Sequence, residues 1–322
     1  MFSRLVTSRW VKLGFLTLAL GFCVYGLLAE RAAVAAALPR VEWYSVVGAL
    51  AAAFIGLGCT MLAWRALLAD LGSPLPVRPA SRIFFVAQLG KYLPGAVWAP
   101  AAQVELAHRD RVPRARSATA VVVFMGVALA TGLLVAAATL PLGSGQAARH
   151  YRWALALMVP VLIGLYPPVT GFVLDRLLRL VRRPPLERQI SMAGMARAIG
   201  WWLLAWVFYG VQAWLLVADV GGKGLVALPL AAGAYALAWS VGFILIPFPG
   251  GVGPRELALI ATLAPVMPAG PAIVIAVISR LVMTIGDLAW AALASVFGRA
   301  RQPGGAQEQD QASPARDSAR LA

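Results

Sequence analysis

Long apolar stretches run through most of this 322-residue chain. Hydrophobic residues make up 61% of the sequence and charged residues only 13%, well below the roughly 25% charged content of soluble domains. Several stretches reach the ~20 residues that an α-helix needs to cross the hydrocarbon core of a bilayer. The continuous runs also lack the period-two alternation of membrane β-barrel strands. The sequence therefore predicts an all-α polytopic membrane protein.

Two of the long stretches are interrupted by matching Pro-Gly sequences. The first is Leu93-Pro94-Gly95-Ala96-Val97 and the second is Phe248-Pro249-Gly250-Gly251-Val252. Proline removes a backbone donor and glycine tolerates conformations closed to other residues, so each sequence is expected to end a helix. Inside a bilayer, the freed backbone groups need protein or a water-lined cavity around them. Paired breaks of this kind indicate a transporter-type binding site near the membrane midplane.

Around the breaks we expect about six full spans. Their approximate limits are 11–29, 45–68, 117–140, 153–174, 199–217 and 271–297, and the broken segments cover 83–106 and 225–264. A cleaved signal peptide is the alternative for the first span, because small residues follow it, but its length favours a retained anchor. Prolines in the fourth span predict a kink or a break. The polar tail, 299–322, is expected to be disordered and cytoplasmic.

The distribution of Lys and Arg predicts the topology. Loops assigned to one side carry 20 basic residues, the opposite loops carry five, and three lie in membrane segments. The positive-inside rule makes the richer side, with both termini, the cytoplasmic side of the inner membrane. This bias requires both broken segments to re-enter, the first from the cytoplasm and the second from outside. If the breaks were kinks in full spans, the arginine-rich loops would lie on opposite sides.

The predicted order describes an inverted repeat. Residues of about 10–140 and 152–297 each contain two spans, a re-entrant hairpin and a third span, so each half crosses the membrane an odd number of times. The halves then have opposite orientations, and the two breaks meet near the midplane. We expect residues 1–298 to form one transmembrane domain.

Six ionisable residues fall within the apolar segments: Lys91, Glu105, Arg255, Glu256, Arg280 and Asp287. Charge at the bilayer centre costs at least about 2.5–3.5 kcal/mol, so each residue needs a partner or a function. Arg280 and Asp287 share a helix face and can pair through water or reach the charges of the second break. Lys91 and Glu105 lie closer to segment ends, where long side chains snorkel. A buried ion-pair network that only fixes packing stays open as an explanation.

The functional interpretation is an anion site where the two breaks meet. The three basic residues would project toward it, and glycine N–H groups and helix N-termini add positive charge. An arginine fork suits the phosphate or phosphodiester of a lipid headgroup. The expected lining residues are Lys91, Pro94, Gly95, Pro249, Gly250, Gly251, Gly253, Arg255, Glu256, Arg280 and Asp287.

Other site chemistries find little support. His108 and His150 fall in loops on opposite sides, Cys23 and Cys59 lie within apolar spans, and no Cys/His cluster has metal-ligand spacing. Despite the net charge of +15, basic residues cluster in short loops, so no nucleic-acid partner is expected. We expect no cofactor and no metal. Membrane lipids are the expected partners, and a homo-oligomer is compatible with the sequence.

The break sequences resemble those of a known family. The motifs are Gln88-Leu89-Gly90-Lys91-Tyr92-Leu93-Pro94-Gly95 with Trp98, and Pro247-Phe248-Pro249-Gly250-Gly251-Val252-Gly253-Pro254-Arg255-Glu256. The chain resembles the lysylphosphatidylglycerol synthase transmembrane family, also called the flippase-like domain family, over about 10–298. The membrane half of the multiple peptide resistance factor, a member, resembles a flippase for aminoacylated phosphatidylglycerol. Because the sequence stops at Ala322, we expect a stand-alone member without the aminoacyl-transferase domain.

Three functions remain open at this point. The first is a passive or ion-coupled lipid translocase that moves an anionic or lipid-linked headgroup between leaflets. The second is a membrane-embedded transferase, or its accessory subunit, in polyprenyl-phosphate, glycolipid or hopanoid biosynthesis. It would need an acid/base carboxylate, for which Glu105, Glu256 and Asp287 are the candidates. The third is a non-catalytic scaffold in which the charges are structural.

Overall fold

The computed structural model describes residues 31–92, 97–142, 149, 155–156, 158–180, 189–221, 224–225, 227–245, 251 and 253–297. Within these ranges the regular secondary structure is helical, with eleven α-helices. They are α1 Arg31–Ala37, α2 Trp43–Asp70, α3 Val77–Gln88, α4 Trp98–Arg109, α5 Arg114–Thr139, α6 Met158–Leu165, α7 Pro167–Leu180, α8 Met192–Val220, α9 Ala227–Ile244, α10 Pro254–Leu263 and α11 Ala269–Phe297. The predicted first span and the polar tail lie outside the described residues.

Five helices of the described part are long and apolar enough to cross a membrane: α2, α5, α8, α9 and α11. Large apolar side chains cover their outer faces, for example Val47, Val207, Leu281 and Val296. An extended exposed apolar surface is unfavourable in water, whereas a bilayer accepts it. These features confirm an all-α polytopic membrane protein.

The predicted fourth span is broken. α6 ends at Leu165 and α7 begins at Pro167, with Tyr166 between them. Proline lacks the N–H that would continue the preceding helix, and it is well accommodated at the first position of a new one. Two helices of eight and 14 residues therefore replace the single span.

Hydrogen bonds fix one end of the helix bundle. Asp70, the last residue of α2, accepts hydrogen bonds from the backbone N–H and the hydroxyl of Ser191, at 2.8 and 2.6 Å, just before α8 begins. Arg116, in the first turn of α5, donates to the carbonyl oxygen of Gly72 at 3.3 Å. The C-terminus of α2 and the N-termini of α5 and α8 therefore lie together, at what we call the Asp70 end. Three of the predicted basic loops adjoin these helix ends: those of about 65–82, 109–116 and 176–197.

A second set of hydrogen bonds fixes the opposite end. Asp219, near the C-terminus of α8, accepts hydrogen bonds from the backbone N–H of Glu42 and the hydroxyl of Ser45, both at 3.0 Å. The start of α2 thus lies beside the end of α8, at what we call the Asp219 end. α11 also begins here, because Gly270 lies against Ala33 of the preceding helix α1.

Two helix pairs form hairpins within the bundle. α3 and α4 begin and end at the Asp70 end, since short loops join them to α2 and α5. Their arms approach closely: a Cβ added to Gly90 would lie 2.8 Å from the backbone N of Ala99. α9 and α10 begin and end at the Asp219 end, between α8 and α11. Each arm of the first hairpin has 12 residues, about 18 Å of helix, too short to cross the ~30 Å hydrocarbon core.

The two halves contain the same order of elements in opposite directions. α2, the first hairpin and α5 correspond to α8, the second hairpin and α11. α2 runs from the Asp219 end to the Asp70 end, and α8 runs the other way. An inverted repeat requires this antiparallel relationship, and the repeat itself stays a prediction. We call Lys91 and Tyr92, which follow α3, the first tip, and we call Gly251 together with residues 253–256, at the start of α10, the second tip.

Candidate functional site

The turn that follows α3 reaches α11 through two side chains. Lys91 Nζ lies 2.6 Å from Asp287 Oδ2, and the hydroxyl of Tyr92 donates to the same oxygen at 2.6 Å. The Asp287 side chain is 2% exposed, whereas that of Lys91 is 30% exposed. A carboxylate this deeply buried needs a charged partner and hydrogen bonds, and residues of the first hairpin supply both.

The second carboxylate oxygen of Asp287 is less well satisfied. Oδ1 is buried and has no hydrogen-bond partner among the described residues. Buried polar atoms nearly always have at least one partner. Asp287 therefore keeps acceptor capacity beyond its contacts with Lys91 and Tyr92.

The second hairpin reaches α11 through Glu256. Pro254 is the first residue of α10, and the N–H of Gly253 donates to Glu256 Oε2 at 2.7 Å. A carboxylate in the first turn suits the positive end of the helix dipole. The other oxygen, Oε1, lies 3.6 Å from Arg280 Nη1 on α11. These side chains are only 12% and 18% exposed, so the ion pair is largely shielded from solvent.

A close backbone approach holds the second tip against α9. Gly251 has a φ of +71°, and a Cβ there would lie 3.1 Å from the carbonyl oxygen of Gly242. A Cβ on Gly242 would in turn lie 2.9 Å from the Cβ of Arg255. Other residues rarely adopt this φ, so glycine at position 251 allows the tip to turn and brings Arg255 against α9.

Arg255 makes different contacts from the other two cations. Its guanidinium donates to the hydroxyl of Tyr235, and its Cζ lies 4.7 Å from the centroid of that ring. Among the described residues, no carboxylate oxygen lies within ion-pair distance of it, whereas Lys91 and Arg280 each have one. Arg255 is therefore held by a neutral hydroxyl and a ring face.

α11 joins these contacts into one cluster. Arg280 and Asp287 are two helical turns apart, about 10.5 Å along the axis. Arg280 also interacts electrostatically with Tyr92 of the first tip and with Arg255 of the second. We call Lys91, Arg255, Glu256, Arg280 and Asp287 the charge cluster. Of the two arrangements that the sequence left open, Arg280 reaches Glu256, and Asp287 has its ion pair with Lys91.

The remaining predicted residues divide into two groups. Pro94, Gly95, Pro249 and Gly250 lie outside the described residues. Glu105 is separate from the charge cluster: it lies near the Asp70 end on α4, half exposed, 3.0 Å from Arg114 Nη2. The snorkelling expected for Glu105 and Lys91 stays a prediction. The ammonium group of Lys91 contacts a buried carboxylate.

Tyr92, Tyr235 and Tyr209 were missed by the sequence analysis. Tyr209 is buried, and its ring centroid lies 5.8 Å from that of Tyr235. The hydroxyl of a tyrosine within an apolar span still needs a hydrogen-bond partner, and this requirement could have drawn attention to these residues. The sequence did not reveal whether those hydroxyls meet charged side chains or the membrane interface.

Membrane-length apolar helices around a buried charge cluster define a multi-pass α-helical membrane protein. Within that class, residues 9–291 match the family described as Lysylphosphatidylglycerol synthase TM region. Because the match covers most of the chain, the protein belongs to this family, and the resemblance seen in the break motifs is confirmed. This membership suggests a role connected with membrane lipids. No curated protein matches the sequence.

Proposed function

We propose that this protein is a lipid translocase that moves an anionic phospholipid or a lipid-linked headgroup between the leaflets of the cytoplasmic membrane. The observation that carries the proposal is the convergence of both hairpin tips on α11. Lys91 of the first tip pairs with Asp287, and Glu256 of the second pairs with Arg280. Charges from both halves of the chain thus meet within an otherwise apolar bundle, where an unneeded charge is costly.

The hairpins give the headgroup a route from either leaflet. In this proposal both are re-entrant, the first open to the Asp70 end and the second to the Asp219 end. The Asp70 end is the cytoplasmic side because basic loops gather there, and both termini lie on that side. Residues 1–298 act as one domain, with repeats of about 10–140 and 152–297 that rock or separate around the charge cluster.

The charge cluster supplies the chemistry that a phosphate group needs. Two guanidinium groups and an ammonium group belong to this cluster, and each can donate to phosphate oxygens. Glu256 and Asp287 neutralise two of the cations when no substrate is bound, and an incoming phosphate binds Arg255 and exchanges with Glu256 at Arg280. The acyl chains remain in the bilayer, against the apolar outer faces of the helices.

The contacts give less support to the two alternative functions. An acid/base catalyst needs a carboxylate that is free to exchange protons, but Glu256 and Asp287 are ion-paired and Glu105 lies outside the cluster. A purely structural network would be expected to give each buried cation a carboxylate. Arg255 instead contacts Tyr235.

Purified protein reconstituted alone into liposomes tests the proposal. We expect faster headgroup movement of a short-chain labelled phosphatidylglycerol, with or without an imposed pH gradient, than in protein-free liposomes. Arg280→Gln should slow it at least about tenfold, because a charge-assisted contact is lost. The matched control is Arg114→Gln, which breaks the exposed pair with Glu105 and should leave the rate unchanged. Movement no faster than in protein-free liposomes under both conditions would contradict the proposal.

A further inference from the structure

The charge cluster carries an excess of one positive charge. Lys91, Arg255 and Arg280 are cations, whereas Glu256 and Asp287 are the carboxylates that face them. The sequence adds no ionisable residue from 93 to 97 or from 245 to 252, where the two breaks lie. Within the described residues and the two breaks, the excess therefore belongs to the cluster itself.

Arg255 is the cation of the cluster that has no carboxylate oxygen within ion-pair distance among the described residues, although Glu256 also acts on it electrostatically. Lys91 and Arg280 each face a carboxylate, but the described partners of the Arg255 guanidinium are the hydroxyl and ring of Tyr235. A phenol hydroxyl and a ring face compensate a buried cation only in part. An unpaired charge in a low-dielectric interior is unfavourable, so this position favours a ligand with one negative charge.

We infer that the substrate class is a phosphodiester lipid with a single net negative charge, and that Arg255 is its main anchor. This inference rests on the proposed function and narrows its substrate. A monoanionic phosphodiester brings the cluster to neutrality. A zwitterionic headgroup leaves the positive excess because its ammonium group offsets its phosphate. A phosphomonoester, whose second pKa is about 6, is a dianion at pH 8 and produces a negative excess.

The geometry of Arg255 adds a second requirement. A guanidinium presents several N–H donors in a plane, and two of them fit two oxygens of one phosphate. Among the described residues, the Tyr235 hydroxyl is the hydrogen-bond partner of this guanidinium and occupies Nη2, so the fork has other N–H donors that can face a ligand. A lysine at this position would keep the charge but lose the fork.

The first experiment compares lipids on the full-length wild-type protein in neutral nanodiscs at pH 8. The probes are phosphatidylglycerol (monoanion), phosphatidylcholine (zwitterion) and phosphatidic acid (phosphomonoester). We expect phosphatidylglycerol to bind at least about tenfold more tightly than the other two, the ratio for one charge-assisted contact. Dimethyl phosphate, a soluble phosphodiester without acyl chains, is added as a competitor. Its failure to displace phosphatidylglycerol supports a lipid ligand, and displacement at equal concentration would overturn the lipid assignment.

The second experiment changes the charge of the cluster. Arg255→Gln removes the positive excess and should weaken phosphatidylglycerol binding at least about tenfold, whereas Arg255→Lys should weaken it less. Asp287→Asn adds one unit of positive charge and should shift the preference toward phosphatidic acid by about tenfold. Glu105→Gln is the matched control, because it removes a carboxylate outside the cluster and should leave the preference unchanged.

Thermal unfolding of each variant accompanies the binding measurements. If Arg255→Gln does not fold, Arg255→Lys and Asp287→Asn still test the inference through opposite shifts in affinity and preference. Unchanged lipid preference in folded Arg255→Gln or Asp287→Asn protein would overturn it. Failure of this inference can be told apart from failure of the proposed function. Wild-type protein that moves all three headgroups at equal rates would contradict the inferred substrate class but not translocation. Selective binding of phosphatidylglycerol without movement would contradict only translocation.

Discussion

Lys91 and Asp287 form an ion pair, with Nζ and Oδ2 2.6 Å apart, although they come from opposite halves of the chain. Lys91 belongs to the tip of the first hairpin and Asp287 to the last long helix. The pair therefore ties the first break to α11, and the same helix contacts the second break through Arg280 and Glu256. Any movement of one hairpin tip must change the electrostatic surroundings of the other.

Replacing one member of this pair should destabilise the protein. Lys91→Met leaves Asp287 buried without its cation, and removing one partner of a buried pair costs about 3–5 kcal/mol. The double variant Lys91→Met/Asp287→Leu should recover much of that loss, because no buried charge remains. Thermal unfolding in one detergent measures both. The exposed ion pair of Arg114 with Glu105 provides the control: Arg114→Met should lower the free energy of unfolding by less than about 1 kcal/mol. Equal, small losses of stability in Lys91→Met and Arg114→Met would show that Lys91 and Asp287 do not form a buried ion pair.

Tyr92→Phe tests the second contact of Asp287 without altering charge. The substitution removes the O–H that donates to Oδ2 at 2.6 Å, and a hydrogen bond to a charged group contributes about 1.5–3 kcal/mol. We expect a lower midpoint of thermal unfolding than in wild-type protein. Tyr44, which is exposed, supplies the control, and Tyr44→Phe should leave the midpoint unchanged. Identical midpoints for the two variants would show that the Tyr92 hydroxyl does not hold Asp287.

The long helices could be predicted from sequence because their signal is local. The apolar run predicted for 45–68 is a helix from Trp43 to Asp70, and the last span, predicted for 271–297, runs from Ala269 to Phe297. Both breaks were also expected, since proline and glycine act on their own backbone. Boundaries differ by a few residues because helix ends depend on caps and on contacts from other segments, such as the bond between Asp70 and Ser191.

The partners within the charge cluster could not be predicted in the same way. Helix periodicity placed Arg280 and Asp287 on one face, but it gives no information on which distant segment packs there. The pairing of Asp287 with Lys91 depends on how deeply the first hairpin enters the bundle. Tyr235 was overlooked because a tyrosine in an apolar run resembles core or interface residues, and only packing shows that its hydroxyl faces Arg255.

Gly251 provides a test of the second tip. Alanine would adopt the left-handed φ at a cost of about 1–3 kcal/mol, and its Cβ would press on the backbone of Gly242. We expect Gly251→Ala to insert into the membrane, to unfold at lower temperature and to lose headgroup movement. Gly126→Ala is the control: no neighbour lies within 4 Å of its added Cβ, and alanine is the better helix former. Retained headgroup movement in a correctly inserted Gly251→Ala protein would show that this tip does not shape the path.

Single cysteines test the topology in a background in which Cys23 and Cys59 are replaced by alanine. Asp110→Cys and Arg179→Cys should react only with reagent on the cytoplasmic side, because both positions belong to the basic loops that we place there. Arg40→Cys, at the Asp219 end before α2, should react only from outside. Labelling of Asp110→Cys or Arg179→Cys from outside, the side that labels Arg40→Cys, would exclude the re-entrant first hairpin and the inverted repeat.

A cryo-electron microscopy map of the protein in nanodiscs that contain phosphatidylglycerol tests the central claim most directly. We expect headgroup density between the two hairpin tips, with its phosphate next to Arg255 and Arg280, and with Glu256 moved away from Arg280. A map in which the ion pair of Arg280 with Glu256 persists, and in which lipid density is confined to the outer faces of the helices, would contradict the proposed translocation path.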